Sequence, residues 1–80
     1  MQKGDLILVK WRDTKGTQTW IAESQFLKER APVILSPGIF MSEDESSLHI
    51  AMDWSDDGDL IGTIFPKGCI VSVQRLRVED

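Results

Sequence analysis

The chain holds a single cysteine and a single histidine among its 80 residues. Cys69 alone excludes an internal disulfide. Paired with His49 it still falls short of the four ligands of a structural zinc site. No apolar run approaches the roughly 20 residues of a membrane-spanning helix. A basic excess is missing too: 9 Lys and Arg stand against 13 Asp and Glu, for a net charge of −4. Nucleic-acid binders usually show the opposite balance, so acidity disfavours that class of partner. There is no phosphate-cradling glycine loop, no Ser-His-Asp spacing and no metal cluster. The expectation is a protein without catalytic residues, cofactor or metal, and not an enzyme.

Residues 1–80 make one domain. A domain of this size is stabilised by only about 3–5 kcal/mol, and with disulfide and metal excluded, association with other copies is the remaining reinforcement. The polar opening Met1-Gln2-Lys3-Gly4-Asp5 has no leader character, which predicts a soluble, cytoplasmic protein with no membrane partner.

What is present is a series of short alternating segments. Residues 5–12 read as a strand with Leu6, Leu8, Lys10 and Arg12 on one side and Ile7, Val9 and Trp11 on the other. Residues 19–30 read as a short helix: Thr19 can cap it, Ala22 and Phe26 share a face, and Pro32 forbids its continuation. Residues 33–41 form a second strand, bent at Ser36-Pro37-Gly38. The clearest strand is 48–54, whose Leu48, Ile50, Met52 and Trp54 share one face, predicting Trp54 in the core. Asp57-Gly58 marks a hairpin turn before a fourth strand at 60–65. Pro66-Lys67-Gly68 leaves room only for a tight or 3-10 turn. The last strand covers 69–78, with a bulge expected near Gln74 where the apolar parity changes. The fold class is therefore mainly β, a small five-stranded, strongly bent barrel with one short helix between the first and second strands.

Charge is segregated along the chain. Lys3, Lys10, Arg12, Lys15, Lys28 and Arg30 precede the second strand, whereas residues 42–59 carry seven acidic side chains and no Lys or Arg. First and last strands adjoin in barrels of this type. Lys10, Arg12, Arg75 and Arg77, with Trp11 for stacking, are thus the candidate nucleic-acid-binding residues. The same basic zone could instead meet the acidic stretch of another copy, head to tail. Trp11 and Trp20 flank a basic loop and could hold a peptide, although packing of the helix on the barrel is the simpler account.

Two motifs are weaker than they look. Asp53 to Leu60 imitates the start of a calcium-binding EF-hand loop, but the twelfth position, which must bring a bidentate carboxylate, is Ile64. A solvated hairpin turn is the better reading. His49 could serve as base to a Cys69 nucleophile only if the two met and a third group oriented them. Burial of both is the ordinary outcome.

Lys3-Gly4-Asp5-Leu6-Ile7-Leu8-Val9-Lys10-Trp11, Trp20, the segment from Pro37 to Glu45, and the closing Phe65-Pro66-Lys67-Gly68-Cys69-Ile70 with Val73 and Leu76 together resemble small uncharacterised proteins of tailed phages and prophages. The resemblance covers most of the chain. It implies an Sm-like or SH3-like β-barrel and, for a phage product, the host cytoplasm. It also implies a homo-oligomeric ring in which the fourth strand of one subunit pairs with the fifth of the next. The chain has no Asn, which Sm RNA pockets commonly use. The expected role is a ring-forming interaction module, ahead of an Sm-like binder of RNA or single-stranded nucleic acid and an SH3-like peptide adaptor.

Overall fold

The computed structural model describes residues 1–79. Its elements run β1 (Leu6–Arg12), α1 (Glu23–Phe26), β2 (Val33–Glu43), β3 (Ser47–Trp54), β4 (Leu60–Pro66), a 3-10 turn (Lys67–Cys69) and β5 (Ile70–Arg75). All five strands belong to one antiparallel sheet in the order β4-β3-β2-β1-β5. The mainly β fold with one short helix between β1 and β2 is as the alternation predicts. The sheet is open, however: among the described residues no ladder joins β4 to β5.

Connectivity forces the sheet to curl. Four strand spacings would separate β4 from β5 by about 19 Å in a flat sheet. The three-residue 3-10 turn that links them advances only about 6 Å. Curvature enters at three bulges, where Met41, Met52 and Val71 are the extra residues in β2, β3 and β5. Two glycines allow close approach: a Cβ at Gly38 would stand 2.7 Å from Ile50 Cδ1, and one at Gly62 would overlap the Ile50 carbonyl oxygen. The concave side collects Ile7, Val9, Phe40, Leu48, Ile50 and Phe65, flanked by Trp11, Ile70 and Val73. Trp11 closes this core. Its ring lies 5.1 Å from that of Phe65, and its indole N–H donates to Ser36 Oγ at 3.0 Å.

Several expectations are corrected. Trp54 is not in the core but 41% exposed. The Met52 bulge slips the β3 register by one residue, so Trp54 pairs with Leu60 on the convex face instead of following Leu48 and Ile50 inward. The bulge expected near Gln74 lies at Val71, and β5 ends at Arg75 rather than at residue 78. The helix expected over 19–30 shrinks to the four residues of α1. No side chain caps its start and none of its residues is buried, so one turn stands without the packing that short helices need. It therefore does not pack on the sheet.

Candidate interaction surfaces

Antiparallel pairing decides the fate of the basic residues. β1 and β5 do adjoin, but Arg75 lies opposite Ile7, near the start of β1, while Lys10 lies opposite Ser72. Three residues of strand separate the two levels by about 10 Å. The faces differ as well. Arg75 pairs with core-facing Ile7, whereas Lys10 and Arg12 alternate onto the convex side. Arg75 is also engaged, at 3.1 Å from Asp5. Arg77 lies beyond β5 and is exposed. Trp11 is half-buried against Phe65 with its indole N–H occupied, so its ring belongs to the core margin. The structure thus brings Lys10 and Arg12 together and leaves Arg75, Arg77 and Trp11 elsewhere.

Asp5 is drawn into a small network. It accepts the Gln2 N–H at 2.8 Å, and this bond, with the Arg75 charge beside it, holds its carboxyl below the usual value. Asp44 is lowered in the same sense by the N–H groups of Ser46 and Ser47, each donating at 2.8 Å across the β2–β3 turn. Both carboxylates brace turns.

His49 and Cys69 are not linked by a hydrogen bond. His49 sits on the convex face opposite Ile64, with Nδ1 buried and unpartnered. Cys69 is a half-buried free thiol closing the 3-10 turn. No group of three or more His, Cys, Asp or Glu among the described residues is arranged to hold a metal ion, and the 55–59 turn is an exposed hairpin held by the Ser55 N–H donating to the Asp59 carbonyl at 2.8 Å. No described helix is long and apolar enough to cross a membrane.

Two surfaces stand out instead. β4 is an edge strand whose Leu60, Ile61 and Ile64 are exposed and whose residues include no charge. β5 is the opposite edge, with Val71 exposed. On the convex face a groove of about 300 Å³ runs between Met41, His49, Leu60, Gly62 and Ile64. A separate hollow of about 230 Å³, lined by Asp53, Ser55, Asp59 and Ile61 with Leu60, follows the opposite parity of β3 and β4. The groove exists because Gly62 has no side chain and the Met41 and Met52 bulges open the faces beside it. Sequence reasoning missed it. Its one signal was that Leu60 to Phe65 is apolar on both parities, more than a strand with a single buried face requires.

Comparison with protein-family models, curated proteins and solved structures gives no match. No family is assigned. The functional reading accordingly rests on the surfaces themselves.

Proposed function

We propose that this chain is a non-enzymatic interaction module that associates with copies of itself through its open sheet edges, in the manner of a ring. The observation that carries the reading is the bare β4 edge. Natural edge strands are usually guarded by Lys, Pro or inward charges; β4 has a proline only at its last residue, Pro66, and Ile61 and Ile64 are 67% and 62% exposed on a strand with no charged residue. The other edge, β5, is equally unpaired. A β4 edge of one copy meeting the β5 edge of another satisfies both sets of backbone groups, and repetition of one such contact closes a ring where its rotation allows. A small core gains stability from that burial by mass action.

The nucleic-acid and peptide-adaptor readings draw less support. The former needs Lys10, Arg12, Arg75 and Arg77 on one surface, and the latter needs a Trp11 face that the core already uses.

Light scattering and sedimentation at tens of micromolar test the proposal. The wild-type chain sediments as an oligomer, and Ile61→Lys/Ile64→Lys sediments as a folded monomer. A strictly monomeric wild type refutes it.

A further inference from the structure

Two protrusions leave the sheet at one end. The first is an arm, residues 13–32, rooted where the Asp13 N–H donates to the Pro32 carbonyl at 3.0 Å. Beyond the root only Ile21 is better than exposed, and the Lys15–Glu29 ion pair at 2.7 Å bridges the arm to itself. Trp20 is fully exposed, at 102%, and Phe26 and Leu27 are also bare. A single helical turn carrying such side chains into water lacks the surface that would order it. The second protrusion is the β3–β4 turn at residues 55–59. Arg12 lies opposite Val33, and β3 runs antiparallel to β2, so strand direction brings this turn out beside the arm. The two carry opposite charge. Lys28 and Arg30 lie on the arm, and Asp53, Asp56, Asp57 and Asp59 lie on the turn and its flanks. Among the described residues no ion pair engages any of these six. Asp53 and Asp59 also line the hollow of about 230 Å³ that includes Leu60 and Ile61, space for a single aromatic side chain.

We infer that two copies of the chain form a two-fold dimer by reciprocal docking of these protrusions. Trp20 of each copy seats in the hollow of the other, between Asp53 and Asp59, while Lys28 and Arg30 face Asp56 and Asp57. Position argues for reciprocity. Because both protrusions share one end of the sheet, a two-fold axis at that end satisfies both at once, as in any isologous contact. Chemistry argues for this occupant. The indole N–H only donates and the carboxylates that line the hollow only accept, while basic residues of the arm meet acids of the turn. Area argues for two contacts rather than one. Trp20 and Phe26 on one turn cover on the order of 400 Å² of each partner, and the reciprocal pair brings this to the ~800 Å² per partner of a standard stable interface. The contact uses neither the β5 edge nor the Gly62 groove, so it stands apart from edge pairing.

The test uses the full chain, with folding followed by circular dichroism and association by sedimentation velocity. Ile61 belongs to the hollow and to the β4 edge alike, so edge pairing is blocked at Val71 instead. Val71→Lys sediments as a dimer. In that background Trp20→Ala removes an exposed side chain only, so the chain folds normally. Its dimer is about a hundredfold weaker, because the anchor occurs twice and each loss costs roughly tenfold. Charge exchange reads the reciprocity. Lys28→Glu/Arg30→Glu and Asp56→Lys/Asp57→Lys are each monomeric alone, since like charges then meet at both contacts. Mixed one to one they form a heterodimer, in which both contacts regain opposite charge. No heterodimer in the mixture, or a dimer indifferent to Trp20, overturns the inference. A monomeric Val71→Lys beside an oligomeric wild type also overturns it and leaves edge pairing standing, whereas a wild type that is the same dimer as Val71→Lys supports it and removes edge pairing. Binding of oligo-dT at low salt that requires Trp20, with no Trp20-dependent dimer, would give the arm to nucleic acid and overturn the inference.

Discussion

Gly62→Ala adds one methyl group to an exposed edge strand, and ordinary surface reasoning would score it as neutral or mildly stabilising. The structure says otherwise. The new Cβ would overlap the Ile50 carbonyl oxygen, with the Ile50 carbonyl carbon at 3.4 Å and Leu60 Cδ1 at 3.1 Å. Leu60 can swing aside, but a ladder carbonyl cannot. β4 must therefore lift away from β3 beside the Met52 bulge, where Ala51 pairs with Gly62. Overpacking against backbone costs about 2–3 kcal/mol, a large part of what a domain this small possesses. For a domain of this length that lowers the melting temperature by roughly 10–20 °C. Gly68→Ala is the control: its Cβ meets nothing within 4 Å and its φ is not positive, so it is neutral or stabilising by up to about 1 kcal/mol. Urea unfolding at one fixed, low protein concentration separates these effects from association. A Gly62→Ala variant within about 0.5 kcal/mol of wild type would refute the close approach of β4 to β3.

The core makes a parallel contrast. Ile50→Ala costs about 2–5 kcal/mol, whereas Trp54→Ala loses only a half-exposed ring and its contact with Lys3 Nζ, 5.2 Å from the ring centre, about 1 kcal/mol. Equal costs in denaturant titration would return Trp54 to the core. Trp11→Phe keeps the aromatic contact with Phe65 and deletes the bond to Ser36 Oγ, for a loss of about 1–2 kcal/mol. The companion Ser36→Ala loses less on top of Trp11→Phe than alone if the two are coupled. Asp5 and Asp44 have folded-state carboxyls below their unfolded values, so their stabilisation is complete above the unfolded value and is lost as pH falls through the folded one. The urea midpoint drops on acidification below about pH 4, and Asp5→Asn/Asp44→Asn flattens that drop. An unchanged acid limb in the double variant would contradict the assignment.

Alternation by itself specified β1, the bent β2, and the short link from β4 to β5, because each depends on neighbours close in sequence: parity, proline, glycine and turn length. Ile7 and Val9 against Leu6 and Lys10 could be assigned without coordinates. So could the hairpin at Asp57-Gly58. The candidate surface was far less legible. Lys10, Arg12 and Arg75 were rightly placed on adjoining strands, although Arg77 falls beyond the end of β5; which end of β1 faces Arg75 depends on strand direction and register, and a bulge at Val71 leaves no mark in composition.

Composition and periodicity therefore determined that this is a mainly β domain of five strands, too small to be generously stable and without the residues for a disulfide or a zinc site. Tertiary structure alone decided that the sheet stays open, that Trp54 turns outward, that Gly62 hollows a groove, and that residues 13–32 stand away from the body. The physical reason is common to all four. Each follows from a one-residue register slip or from a contact made or missing between segments distant in sequence, and a local pattern with period two is blind to both.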